Sequence, residues 1–143
     1  MIISHQHRFV FVKTRKTAGT SVEIALARYC GANDVITRIV SENRETLADH
    51  VARNENVPLS SYSLKDYIKT PLRGRVRYKE HENIYEIKKR TNSEVWKYYK
   101  FSIERNPWER YLSQYFWNTR KGGLYEGMDM MEHFHTVPSY RLS

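Results

Sequence analysis

A short stretch near the amino terminus, residues 9–29, constrains the fold of this 143-residue chain more than any other. Residues 9–12, Phe-Val-Phe-Val, form the aromatic and β-branched run that is typical of a buried strand. A loop rich in Lys, Thr, Gly and Ser follows, and it leads into a helical pattern that Gly31 is expected to end. The apolar residues on one face of that helix are Val22, Ala25, Leu26 and Tyr29. A strand that passes through such a loop into a helix favours an α/β fold.

The loop carries the groups that bind an anion. The first backbone N–H groups of a helix lack partners within the helix, and the helix dipole is positive at that end. Gly19 permits close backbone approach, and Lys16 adds a full charge. Hydroxyl donors come from Thr17, Thr20 and Ser21. The spacing differs from a Walker A motif, whose Lys directly follows its second Gly, and an ordinary strand–helix turn explains the loop alone equally well.

A second strand-to-helix junction is predicted around residue 105. Residues 98–103 alternate in apolar character as a strand does. Asn106 is then a suitable N-cap, Pro107 fits the first helical position, and Glu109 stands where a capping-box acid is common. The helix is expected to continue as far as its apolar pattern does.

Arg105 and Ser113 have the spacing to hold one phosphate. Arg105 is expected at the end of the strand, while Ser113 lies about two turns into the helix, roughly 10 Å along its axis. Arg110 shares the same face, and a guanidinium and a hydroxyl can close on a phosphate from two directions. Taken singly, an ion pair of Arg105 with Glu104 or Glu109, and an ordinary polar position for Ser113, are the better interpretations.

Together the two junctions resemble the cofactor motifs of sulfotransferases. Lys-Thr-Ala-Gly-Thr-Ser at 16–21 is similar to their 5′-phosphosulfate loop, and Arg-Asn-Pro-Trp-Glu-Arg at 105–110, followed by Ser113, is similar to their 3′-phosphate motif. These enzymes take a sulfuryl group from 3′-phosphoadenosine 5′-phosphosulfate (PAPS). The likeness is clear over residues 8–31 and 78–117. The cofactor-binding residues that it implies are Arg15, Lys16, Thr17, Ala18, Gly19, Thr20, Ser21, Arg105 and Ser113.

Sulfuryl transfer to a hydroxyl needs a base for the acceptor proton and a positive charge for the leaving phosphate oxygen. Lys16 is placed for the second task. Histidine has the side-chain pKa nearest neutrality, and the resemblance implies that His81, between the two motifs, is the base. Glu80 and Glu82 are the alternative bases. A lone His is more often structural, and that alternative stays open.

The rest of the chain gives weaker signals. A short strand is predicted at 35–40, and the polar middle third is expected either to contact the acceptor or to form an irregular cover. His133 and His135 fall in a tail that is expected to be irregular, where surface roles are the default. Short helices are predicted at 46–53, 63–69, 84–90 and 93–97.

The composition favours an anionic partner but does not indicate which kind. A net charge of +8 suits a nucleotide, an acidic glycan, nucleic acid or a membrane surface, and the chain has no recognised nucleic-acid-binding motif. Cys30, the single cysteine, has no metal-ligand companion, so no metal is expected. Since no signal-peptide core or membrane-spanning stretch is found, a soluble, cytoplasmic protein is expected.

These patterns predict a single domain over residues 1–143. The expected fold is α/β, with a small, mainly parallel sheet flanked by helices, of the P-loop-like sulfotransferase kind. The expected function is PAPS-dependent sulfuryl transfer to a hydroxyl, with a glycan as the acceptor. A kinase-like phosphotransferase and a non-enzymatic polyanion-binding module are the alternatives. Because sulfotransferases generally continue past the 3′-phosphate helix, the chain is expected to be C-terminally truncated or a minimal version whose lid comes from elsewhere.

Overall fold

The chain forms two compact units. The computed structural model describes residues 1–39 and 51–137. The first unit consists of Met1–Lys13 and the described residues of Thr20–Ser102, and the second consists of Thr14–Gly19 and the described residues from Ile103 onward. The loop at 14–19 therefore belongs to the same unit as the segment that follows residue 102.

A four-stranded sheet lies in the first unit. Its order is β3-β1-β2-β4, with β1 antiparallel to both β2 and β3 and with β2 parallel to β4. The strands are β1 (Ile2–Ser4), β2 (Phe9–Phe11), β3 (Val35–Ile36) and β4 (Tyr99–Phe101). Ile2 and Ile3 of β1 and Val10 and Phe11 of β2 are almost fully buried, which explains why such short strands are stable here.

The prediction of a mainly parallel sheet is wrong, because two of the three described strand pairings are antiparallel. The cause is β1, which the sequence did not reveal because only three residues pair before a polar turn. That turn depends on Asp34, whose carboxylate accepts hydrogen bonds from the backbone N–H groups of His5 (2.6 Å) and Gln6 (3.1 Å) and from the Ser4 hydroxyl (2.8 Å). A residue 30 positions away thus closes the hairpin between β1 and β2.

Six α-helices occur in the described residues, and most agree with the predicted positions. They are α1 (Gly19–Ala27), α2 (Leu64–Arg73), α3 (Ile84–Arg90), α4 (Ser93–Trp96), α5 (Pro107–Thr119) and α6 (Met130–Thr136). The predicted strand at 35–40 shortens to β3, and most of the predicted helix at 46–53 lies outside the described residues. None of the helices in the described parts of the chain is both long and apolar enough to cross a membrane.

Side-chain caps fix where several helices begin. The Ser63 side chain accepts a hydrogen bond from the backbone N–H of Asp66, and the Asp66 carboxylate accepts one from the backbone N–H of Ser63. This capping box starts α2. Asn92 caps α4 through Val95 N (2.9 Å). Asn106 caps α5 as predicted.

The described part of the tail that was predicted to be irregular is instead helical and packed. His133 in α6 is fully buried, although a surface role was expected for it. Its ring lies among three tyrosines of the second unit, namely Tyr111, Tyr115 and Tyr125. His135, two residues later, is exposed as expected.

Candidate functional site

The two motif segments leave the sheet at the same edge. β2 and β4 are parallel neighbours, with Phe9 opposite Tyr99 and Phe11 opposite Phe101, and the backbone N–H of Val12 donates to the carbonyl of Phe101 (2.9 Å). The carboxyl ends of both strands therefore lie side by side. In open α/β sheets, ligands bind beyond such strand ends.

The loop after β2 is held by its own threonines. The Thr14 hydroxyl donates to the carbonyl of Ile103 (2.7 Å). The Thr17 hydroxyl lies 2.9 Å from the Thr14 hydroxyl and 3.2 Å from the Thr14 carbonyl oxygen. Since Thr17 is 2% exposed and its hydroxyl hydrogen is engaged within the loop, it shapes the loop instead of offering a free donor. The two threonines and Ile103 all belong to the second unit.

Two residues of the loop adopt a backbone conformation that is unusual for them. Lys16 and Ala18 have φ angles of 59° and 61°, in the left-handed region that side chains disfavour. Gly19 instead begins α1, so the loop's backbone strain is carried by the residues before it. Thr20, half-buried, and Ser21, exposed, lie in the first turn of the same helix.

One face of α5 runs along this loop within the second unit. Arg110 donates from Nε to the carbonyl of Arg15 (3.1 Å), and the Lys16 ammonium lies 4.3 Å from the centre of the Trp117 ring. The residues that recur on this face of the helix are Asn106, Arg110, Ser113 and Trp117. Arg15 and Lys16 of the loop therefore contact the same face of α5 that carries Ser113, and all three residues belong to the second unit.

Two polar groups on that face have no partner among residues 1–39 and 51–137. The Arg110 side chain is only 17% exposed, and its Nη2 atom is buried without a hydrogen bond. The hydroxyl of the half-buried Ser113 likewise makes no hydrogen bond in that part of the chain. A buried donor is normally satisfied, so Nη2 of Arg110 is suited to an anion such as a phosphate, and the half-buried hydroxyl of Ser113 on the same face can donate to one as well.

Arg105 is engaged by a neighbouring acid. Its Nε donates to Glu109 Oε2 (3.0 Å), so the ion pair that was one of the sequence interpretations does form. Both side chains are largely exposed, and such pairs contribute at most about 1 kcal/mol. Glu109 is thereby used for the ion pair, and the N-cap contact of α5 runs from Trp108 N to Asn106 Oδ1 (3.0 Å).

The surroundings of Lys16 are strongly positive. Burial, followed by the charges of Arg120 and Arg105, lowers the pKa of the Lys16 ammonium group. Arg120 also packs against the Trp117 ring, with its guanidinium carbon 3.4 Å from the ring centre. A bound anion would offset the repulsion among these cations.

His81 lies in the first unit, in the turn before α3. Its Nδ1 is 3.0 Å from the carbonyl oxygen of Lys13, and its Nε2 is 3.9 Å from Oε1 of Glu80. The Lys13 ammonium contacts Glu80 as well and lies 2.9 Å from Oε2 of Glu23. Glu82, one of the alternative bases, is buried and paired with Arg90 (2.5 Å).

Sequence reasoning missed three residues of these surroundings. Trp117 lies one turn beyond Ser113 on the same helix face, a spacing that could have indicated it. Lys13 and Glu23 gave no signal, because their burial depends on contacts between distant parts of the chain. Their positions were accessible only through the structure.

Comparison with known proteins identifies a family. The family model described as "Sulfotransferase family" matches residues 1–140, a stretch that includes both junctions and His81. No curated protein and no solved structure matches the chain. On the strength of a match over nearly its whole length, the chain belongs to the sulfotransferase family.

Proposed function

We propose that this chain is a PAPS-dependent sulfotransferase whose acceptor is a carbohydrate hydroxyl. Membership of the family supports sulfuryl transfer in general. The observation that carries the finer proposal is the α5 face, where Nη2 of Arg110 and the Ser113 hydroxyl lack partners among the described residues. The contact from Arg110 to Arg15 joins that face to the loop after β2. We also propose that β2, the loop at 14–19 and α1 form a P-loop-like unit.

The proposed cofactor contacts follow the chemistry of each side chain. Lys16 and the backbone N–H groups of residues 17–21 bind the 5′-phosphosulfate, with Thr17 acting through its backbone because its hydroxyl is engaged. Arg105 and Ser113 bind the 3′-phosphate. Since Arg105 is paired with an exposed acid, a doubly charged phosphate can displace that acid at small cost.

The proposed reaction is an in-line transfer. The acceptor hydroxyl oxygen forms a bond to sulfur while the bond from sulfur to the bridging oxygen of the 5′-phosphate breaks. The hydroxyl proton passes to Nε2 of His81, and the electron pair of the broken bond stays on the phosphate, where Lys16 offsets the new negative charge. PAPS supplies the activated sulfuryl group when it is bound.

The acceptor class rests on two lines of support. The motifs resemble the branch of the family that modifies polysaccharides, and a charge of +8 favours an acidic glycan. A kinase-like phosphotransferase is the second candidate because strand–loop–helix sites also bind ATP, but the loop lacks the Lys-Ser/Thr pair of a Walker A motif.

Calorimetry with three ligands separates these functions. We expect the cofactor product, 3′-phosphoadenosine 5′-phosphate, to bind without Mg²⁺ and more tightly than ATP or heparin. Arg105→Ala should weaken that binding at least tenfold, whereas Arg75→Ala, an exposed arginine of the first unit, should leave it unchanged. Preference for ATP would reject the proposal, and equal effects of both arginines on heparin binding alone would indicate a polyanion-binding module.

A further inference from the structure

The apolar face of α2 points away from the first unit. Leu64, Tyr67 and Ile68 recur at the i, i+3 and i+4 spacing of one helix face, and they are 78%, 52% and 68% exposed. Among residues 64–71, whose side chains the structure describes, the half-buried ones are Asp66 and Thr70. A surface helix normally packs its apolar face on the core and leaves its polar face in water. The orientation of α2 is the opposite one.

Contacts with the rest of the unit hold α2 in this orientation. The Tyr67 hydroxyl donates to the carbonyl of Leu59 (2.9 Å), and the Leu59 side chain, which is 52% exposed, extends the apolar face beyond the helix. The Tyr67 ring also meets the ring of Tyr62, whose hydroxyl accepts a hydrogen bond from the backbone N–H of Val76 (2.8 Å). An exposed apolar surface on a fixed element is typical of a site that binds a partner or a membrane.

The margin of this face is strongly basic. From residue 63 to residue 79 the chain has one acid, Asp66, and the basic residues Lys65, Lys69, Arg73, Arg75, Arg77 and Lys79. Lys65 and Lys69 lie beside the apolar row of α2 and are exposed, as are Arg75 and Lys79 after the helix. Apolar side chains and an excess of positive charge therefore occur on one surface.

Charge and helix length favour a membrane as the occupant of this surface. A symmetric contact between two copies of the chain would bring two equally basic segments together, which like charge disfavours. A bilayer with anionic lipids offers an apolar interior for Leu64 and Ile68 and a negative surface for the lysines. With its ten residues α2 is about 15 Å long, too short to span a bilayer but long enough to lie in its interface.

We propose that the apolar face of α2, with the basic residues at its margin, docks the protein on an anionic membrane surface. Leu59, Leu64 and Ile68 enter the boundary between headgroups and acyl chains, while Lys65 and Lys69 stay at the level of the lipid phosphates. All of these residues belong to the first unit. The proposal goes beyond sulfuryl transfer and does not depend on the proposed cofactor site.

Vesicle co-sedimentation tests the role of the apolar face. The full chain should bind vesicles of phosphatidylcholine with about 30% phosphatidylserine at least tenfold more tightly than vesicles of phosphatidylcholine alone. Leu64→Ser should weaken binding to the anionic vesicles about fivefold or more, because less apolar surface enters the bilayer. Leu124→Ser is the matched control: Leu124 is also 78% exposed but lies in the second unit, and its replacement should leave binding unchanged. Since both leucines are exposed, circular dichroism should show the same fold in both variants.

A second pair of variants tests the role of the basic margin. Lys65→Gln/Lys69→Gln should weaken binding to the anionic vesicles about tenfold or more. Lys97→Gln/Lys121→Gln removes two exposed lysines elsewhere and gives the same net charge, so it should weaken binding less than about threefold. Equal losses in the two double variants would show that net charge alone drives binding and would overturn the proposal.

Other results would overturn it as well. Equal effects of Leu64→Ser and Leu124→Ser would show that α2 does not enter the bilayer. A protein that ignores anionic vesicles but forms a dimer in analytical ultracentrifugation, lost in Leu64→Ser, would show that the face joins two copies. A monomer that does not bind the vesicles would refute membrane docking and favour an acidic protein with an apolar groove as the occupant.

Discussion

Replacing His133 by alanine should destabilise the second unit by about 3–5 kcal/mol, the usual cost of removing a fully buried ring. The ring meets the edges of Tyr115 and Tyr125. It also makes two hydrogen bonds, to Asn118 Nδ2 (3.0 Å) and to the Tyr111 hydroxyl (3.1 Å). The Tyr111 hydroxyl lies 3.2 Å from the carbonyl of Met130 and keeps that partner, so most of the added cost falls on the Asn118 amide.

The same contacts make this stability depend on pH. An amide nitrogen only donates, so Nε2 of His133 accepts from Asn118 and the buried ring is neutral. Burial accordingly lowers the pKa of His133. The pKa of His133 in the unfolded chain is about 6.5, and below that pH the unfolded chain binds a proton that the folded chain does not bind. The stabilisation is therefore complete above about pH 6.5 and is lost as the pH falls from there to the lower folded pKa.

Urea unfolding at pH 7.5 and pH 5.5 measures both effects. In a Trp96→Phe background the remaining tryptophans, Trp108 and Trp117, lie on α5 and report the second unit by fluorescence. His135→Ala, an exposed histidine of the same helix, is the control and should change the free energy of unfolding by less than about 0.5 kcal/mol. The reasoning fails if His133→Ala costs no more than His135→Ala, or if the wild type is equally stable at both pH values.

Two further predictions concern the proposed cofactor site. Ser113→Ala should lower the affinity for 3′-phosphoadenosine 5′-phosphate about tenfold, measured by calorimetry, and leave the urea midpoint unchanged because the hydroxyl makes no hydrogen bond within the described chain; a shifted midpoint with normal affinity would contradict this. Lys16→Ala should weaken the same ligand modestly and reduce kcat by about 10² or more, since its charge matters most as the phosphate oxygen leaves. Equal losses in affinity and kcat would show that Lys16 only binds.

Local signals predicted the helices well. α3 has the predicted bounds, and α5 begins after the predicted N-cap, because a cap, a proline and an apolar pattern act over a few neighbouring residues. β1 was not predicted, because its three residues pair only when Asp34 closes the turn after them. Short strands depend on distant partners in this way, and single-sequence patterns do not contain those partners.

The candidate site, too, was predicted only in part. The resemblance to sulfotransferases indicated the motif residues, but the contacts that these residues make depend on the folded loop. Thr17 looked like a free donor, although its hydroxyl is engaged with Thr14. His133 looked like a surface residue, since a histidine is polar and only the surrounding tyrosines make its burial favourable. Lys13 is an ordinary lysine in the sequence and a fully buried ion-pair partner in the fold.

The two motifs depend on each other for their structure. The left-handed backbone at Lys16 and Ala18 costs of order 1–3 kcal/mol for each residue, and such strain persists only where surrounding contacts impose it. Those contacts come from the second motif segment: the carbonyl of Ile103 accepts from Thr14, and Arg110 donates to the carbonyl of Arg15. Both bonds lie within one compact unit, although about 90 residues separate the partners in sequence. The loop that is proposed to hold the 5′-phosphosulfate therefore takes its shape only when the segment proposed to hold the 3′-phosphate is folded against it.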